Sequence, residues 1–299
     1  MGARRPNNTG GTMPRADIDG IEIAYEVIGE GKPWTITPGG RYSKDDPGIR
    51  ELGQALAAGG YSAIIWDRPN CGESDVSFRG PNESAVQADC LAGLLKHLDC
   101  GPAIIAAGSG GSRVSLLTAA RHPEVARGLA LWWISGGIYG LMTLGVYYCG
   151  GPLNAAWHGS MEDVAKLPEL QEVQQRNPRN RDIILSQDRE EFIKMMEQWM
   201  GVYVPNPNEI VPGLTNDRVK EVLTMPALVF RSGESDLAHP RPTSEALAGV
   251  LPDSELVEPP WGDAEWNDRH TPEAQAEGLF AHWPMLAPQL LEWAAKRGI

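Results

Sequence analysis

Around residue 109 the sequence commits the chain to one local geometry. The run Ile104-Ile105-Ala106-Ala107-Gly108-Ser109-Gly110-Gly111 sets a serine between an apolar, strand-like stretch and residues with almost no side chain. A strand that turns sharply into a helix brings its two arms so close that the residues flanking the turn must be small. Ala107, Gly108, Gly110 and Gly111 meet that need, and Val114, Leu116, Leu117 and Ala120 continue as a helix that His122-Pro123 closes. The stretch predicts strand, tight elbow and helix, with the Ser109 hydroxyl presented at the turn. An ordinary glycine-rich turn is the bland alternative.

The remaining chain repeats a strand–helix rhythm. Ile21 to Val27 alternates as a strand, and Trp34 to Thr37 forms a second that ends in Pro38-Gly39-Gly40. Ile49 to Ala58 reads as a helix stopped by Gly59-Gly60, and Tyr61 to Trp66 as a third strand. The polar run Asp67-Arg68-Pro69-Asn70-Cys71-Gly72-Glu73-Ser74 then has to be a loop, and Ser84 to Leu98 the next helix. Beyond the elbow, Leu129 to Ile134, Pro226 to Phe230 and Glu255 to Val257 read as strands, with a last helix from about Leu286 to Lys296. This alternation predicts a doubly wound, mostly parallel α/β sheet covered on both faces.

The rhythm breaks between residues 135 and 224. Tyr139, Met142, Tyr147, Tyr148, Trp157, Met195, Met196, Trp199, Met200 and Tyr203 recur there at helical spacing without a strand pattern. The predicted organisation is a core of residues 16–134 and 225–299, a helical insertion over 135–224, and a disordered lead-in over 1–15. The aromatic and methionine side chains of the insertion either form its own core or line a pocket over the elbow.

Charge excludes several roles. With 26 basic and 39 acidic residues among 299, the formal charge is −13, which repels phosphate backbones and anionic lipid surfaces. Neither a nucleic-acid partner nor a membrane association is expected. Cys71, Cys90, Cys100 and Cys149 have no paired short spacing and no leader before them, so they are expected to be reduced thiols in a cytoplasmic protein. The six histidines are scattered without ligand spacing, and no Gly-rich phosphate fingerprint follows the first strand. No metal and no cofactor are expected.

Taken together, the Pro38-Gly39-Gly40 loop, the Asp67-to-Ser74 loop, the elbow with His122-Pro123-Glu124 beyond it, and the Gly233-Glu234-Ser235-Asp236 turn resemble the α/β-hydrolase superfamily in kind and order. The resemblance covers nearly the whole chain and implies that the insertion is a helical cap. It implies that Ser109 is a nucleophile, that Asp236 is the triad acid, and that the backbone N–H groups of Gly40 and Gly110 form an oxyanion hole. Two such donors would be worth roughly 3 kcal/mol each.

The third triad member departs from the pattern. Where the resemblance leads one to expect a small-residue turn and then histidine, this chain reads Pro259-Pro260-Trp261-Gly262-Asp263. A serine needs a base near neutrality, and an ordinary carboxylate is too weak for that task. Three repairs stay open. A histidine from elsewhere can reach Ser109, with His239 best placed, ahead of His270 and His158. Alternatively, Asp263 or Glu265 acts in acid–base chemistry, through a carboxyl pair with Asp236 or by holding a cation beside Trp261 and Trp266. Otherwise the hydrolytic machinery is degenerate, and the fold serves a lyase, a cyclase or ligand binding.

Arg41 directly follows the oxyanion loop and is a candidate to meet a substrate carboxylate or carbonyl, with a salt bridge to Asp45 or Asp46 as the alternative. Trp133, Tyr139, Trp261 and Glu265 complete the candidate substrate-binding set. The sequence thus predicts an enzyme hydrolysing a small ester or lactone through a Ser109 acyl-enzyme with an atypical base, His239 or Asp263, and leaves assembly as a homodimer open.

Overall fold

A computed structural model describes residues 14–299. Residues 1–13 of the expected lead-in lie outside the described residues, and Arg15 does not belong to it. Arg15 opens β1 (Arg15–Ile18), which pairs antiparallel with β2 (Ile21–Gly29) through a tight turn at Asp19 and Gly20. Both turn residues have positive φ, 53° and 81°, as a two-residue hairpin of this twist requires.

The other strands are β3 (Lys32–Thr37), β4 (Tyr61–Trp66), β5 (Ala103–Gly108), β6 (Ala126–Trp132), β7 (Ala227–Phe230) and β8 (Ser254–Val257). They form one eight-stranded sheet in the order β1-β2-β4-β3-β5-β6-β7-β8. The β1–β2 and β2–β4 pairs are antiparallel, and every pair from β4 to β8 is parallel. The strand expected over Leu129–Ile134 starts earlier and stops at Trp132, because Trp133 takes φ 46° and leaves the ladder.

Helices connect the strands: α1 (Ile49–Ala58), α2 (Glu83–His97), α3 (Gly110–Arg121), then α4 (Gly137–Gly145), α5 (Gly151–His158), α6 (Met161–Ala165), α7 (Pro168–Arg176), α8 (Arg179–Leu185), α9 (Arg189–Gly201) and α10 (Asn216–Val222) between β6 and β7. The chain closes with α11 (Arg241–Val250), α12 (Glu265–Asp268), α13 (Pro272–Glu277) and α14 (Ala287–Arg297). Successive strand residues face opposite sides, so each strand feeds two cores. In β4, Ile64 and Trp66 join α2, α3 and α11 on one face, while Ala63 and Ile65 join α1 and α14 on the other. Both faces are covered, which is why these strands read as continuous apolar runs rather than alternating ones.

Among the described residues from 135 to 224 there is no strand, only isolated bridges at Asn206–Glu209 and Val211–Leu214. Tyr148, Phe192, Met196, Trp199 and Tyr203 belong to a core of this segment's own, whereas Tyr139, Met142, Tyr147 and Trp157 are exposed. Because β3 to β8 run parallel, their outgoing loops gather at one edge of the sheet, beneath this helical layer. No helix among the described residues is long and apolar enough to cross a membrane.

Candidate active site

Ser109 sits between the end of β5 and the start of α3 with φ 56° and ψ −135°. A non-glycine residue in that region is strained by about 1–3 kcal/mol, a cost the surrounding packing has to enforce. The small neighbours explain how. A Cβ on Gly108 would lie 2.2 Å from the Trp132 indole nitrogen, and one on Gly111 would lie 2.2 Å from the Thr37 carbonyl oxygen. A Cβ on Gly39 would stand 2.7 Å from Ser109 Oγ, so the β3 loop presses directly against the hydroxyl.

The hydroxyl meets a histidine. Ser109 Oγ and His239 Nε2 are 2.8 Å apart, and His239 Nδ1 lies 2.9 Å from Asp236 Oδ2. A carboxylate only accepts, so Nδ1 carries the proton, and Nε2 is left to accept from the serine. Asp236 Oδ1 accepts the backbone N–H groups of Ala238 and His239, both at 2.9 Å, which folds the loop back so that residue 239 reaches the carboxylate three residues before it. Asp236 and His239 are 3 % and 2 % exposed. The imidazole stacks loosely on Trp133, with centroids 6.0 Å apart at 18°, and meets Trp266 edge-on at 4.4 Å.

Asp263 does not join this group. Its carboxylate binds the Arg241 guanidinium at the surface, and its backbone carbonyl accepts from Ser235 Oγ at 3.1 Å. Neither the expected carboxyl pair with Asp236 nor a contact with Ser109 is formed, because Arg241 draws the side chain outward. Glu265 is turned away too: it is buried against His282 Nδ1 at 2.9 Å. His270 lines the pocket instead, and its Nδ1 donates to the Trp266 carbonyl at 2.7 Å.

The Gly39–Gly40 backbone faces the start of α3, where first-turn N–H groups have no intrahelical acceptor. Arg68 fixes that loop. Its Nη2 donates to the carbonyls of Gly39, Gly40 and Tyr42 at 3.0, 3.0 and 3.2 Å, which turns the intervening N–H groups away from it. The Arg68 side chain was not singled out from the sequence; the available signal was a charged residue directly after β4, at the edge where the site gathers. Cys71 in the same loop is buried, and burial pushes its thiol up.

Ser109, His239, Gly39 and Gly40 open onto a pocket of about 280 Å³. Its other walls include Tyr42, Thr143, Leu144, Tyr147, Trp266 and Phe280, with no carboxylate, lysine or arginine among them. Several of the expected substrate contacts are engaged within the protein or lie at its surface. Arg41 pairs with Glu83 rather than Asp45 or Asp46 and lies over the Tyr148 ring, 4.8 Å from its centroid. Trp133 is buried against His239 and the other tryptophans, and Trp261 packs on it at 5.7 Å. Tyr139 is 61 % exposed, while Tyr147, from the π-helical turn after α4, takes the pocket-side place and accepts the Arg41 backbone N–H at 3.3 Å.

An eight-stranded, mostly parallel sheet, a strained serine elbow after β5 and flanking helices define the α/β-hydrolase fold. No protein-family model and no curated protein matches the chain by sequence. Solved structures match over nearly their whole length. One is described as an N-acyl homoserine lactone degrading enzyme (TM-score 0.56, 20 % identity, 96 % of this chain and 100 % of that one). A thermophilic esterase from Thermogutta terrifontis gives 0.58 and 20 %, over 96 % and 99 % of the chains. The enol-lactonase from Burkholderia xenovorans gives 0.52 and 18 %, over 88 % and 97 %. At such identities the likeness carries the fold, and chemistry has to be argued from the site.

Proposed function

We propose that this protein is a serine hydrolase that cleaves a small ester or lactone, with Ser109 as nucleophile, His239 as base and Asp236 as the acid that orients it. The 2.8 Å approach of His239 Nε2 to Ser109 Oγ carries this reading. Ser109 Oγ attacks the carbonyl carbon while its proton passes to Nε2, and Asp236 stabilises the resulting imidazolium. The developing oxyanion accepts from the N–H groups of Gly40 and Gly110, aided by the positive end of α3. His239 then gives the proton to the departing alkoxide, and water, deprotonated by the same imidazole, attacks the acyl-enzyme and releases the acid and Ser109. In a lactone both products are one molecule, a hydroxy acid.

The alternative of a lyase, a cyclase or a binding protein with degenerate machinery required a serine without a base in reach, and the His239 contact argues against it. The esterase and lactonase neighbours favour the same substrate class. Labelling by a fluorophosphonate, read by intact mass, tests the reading. Wild type is expected to gain one adduct, and Ser109→Ala and His239→Ala to gain none; a folded wild type that stays unlabelled removes the proposal.

A further inference from the structure

Behind the oxyanion loop lies a second, narrow chamber of about 20 Å³ that adjoins the main pocket at Ser135 and Leu144, which line both. A space of about 10–15 Å³ by this measure takes one water-sized atom, so the chamber admits one to two such atoms, a small polar group and not a ring or chain. Its polar walls include Arg68, Glu83, Arg113, Ser135, Tyr148 and Tyr203, beside Ser84 and Gln87.

The charges of those walls do not balance. Glu83 is engaged by the Arg41 guanidinium and by Asn70 Nδ2 at 2.8 Å. Arg68 and Arg113, 2 % and 7 % exposed, have no carboxylate within ion-pair distance among the described residues. Arg113 donates to the Pro212 carbonyl at 3.1 Å and to Asn82 Oδ1 at 3.3 Å, and stacks over Tyr203 at 4.6 Å. Its Nη1, the Arg68 Nε and the Ser135 Oγ are buried without a partner. The Tyr148 and Tyr203 phenols line the same chamber, and burial pushes both up, which keeps them protonated donors. Buried guanidinium donors without acceptors are costly, and an ionised carboxyl is the group that satisfies them best.

We propose that this chamber is a carboxylate subsite, and that the preferred substrate is an ester or lactone carrying a second, ionised carboxyl group that reaches past Ser135 while the scissile carbonyl sits at Ser109. The inference rests on the hydrolase reading for its substrate but not for its binding site. Monomethyl glutarate and methyl pentanoate, hydrolysed in a pH-stat, measure it. Wild type is expected to favour monomethyl glutarate at least tenfold in kcat/KM, mostly through KM, and the ratio is expected to collapse toward one in Arg113→Gln and in the near-isosteric Tyr203→Phe. Calorimetry with glutarate on Ser109→Ala gives the readout independent of turnover: heat of binding that Arg113→Gln removes supports the subsite, with Tyr203→Phe covering the case in which Arg113→Gln fails to fold. Equal or better use of methyl pentanoate, with no glutarate binding to folded Ser109→Ala, overturns it and leaves the chamber to water. An unlabelled, inactive wild type that still binds glutarate would overturn the hydrolase reading and keep the subsite.

Discussion

Two loops leave the same edge of the sheet side by side and come to opposite ends. The loop after β7 buries Asp236 and His239 and satisfies the carboxylate with three hydrogen bonds, whereas the loop after β8 leaves Asp263 60 % exposed on Arg241. The two touch where a Cβ on Gly233 would fall 2.0 Å from the Asp263 carbonyl oxygen, so the difference is not one of location. What separates them is desolvation and partners. A carboxylate becomes an orienting group where it is dry and fixed, and a surface charge where an arginine holds it in water.

The largest expected effect breaks the comparison on its strong side. His239→Ala should lower kcat/KM by about 10⁴-fold or more, since removal of one member of such a unit costs nearly as much as removal of all. Asp236→Asn keeps the shape but offers Nδ1 a donor, which turns the tautomer; a loss of about 10³- to 10⁴-fold is expected, with the melting temperature nearly unchanged. Activity retained by His239→Ala would move the base elsewhere, and activity retained by Asp236→Asn would remove Asp236 from the unit. Arg68→Met should cost about 10²-fold in kcat, because the Gly39–Gly40 loop loses its brace and the oxyanion donors their aim; a loss confined to KM would contradict that account. Trp266→Leu removes one wall of the imidazole and of the pocket, and a fall of about tenfold in kcat/KM, with kcat itself lowered, is expected. On the weak side, Asp263→Asn should change kcat/KM less than about twofold and stability by at most about 1 kcal/mol in chemical denaturation, as for other exposed ion pairs. A large loss there would restore Asp263 to the chemistry.

The fold was legible where pattern and punctuation agree. Ile49–Ala58 and Tyr61–Trp66 have the bounds that the apolar period and Gly59-Gly60 imply. The elbow followed from volume alone. β1 was missed because four residues with a charged start carry too little alternation, and its hairpin signal, Asp19-Gly20, lay just beyond it. In the site, the side chains fixed by their own loop were readable and those fixed by distant partners were not. Asp236 and His239 are three residues apart, and a carboxylate that accepts the N–H groups two and three residues on is a local signal. Arg41 finds Glu83 and Glu265 finds His282 only after folding, and Trp266 rather than Glu265 faces His239 because the short α12 turns successive residues to different sides.

Keeping Asp236 and His239 on one short turn also changes what the edge of the sheet has to do. With both residues delivered by the loop after β7, the loop beyond the outermost strand β8 supplies walls instead: Trp261 packs on Trp133, and Trp266 meets the His239 ring edge-on. A changed length or sequence at that margin leaves the Asp236–His239 contact in register while it reshapes the walls around it, so the perimeter of the molecule can retune the pocket without supplying the pair.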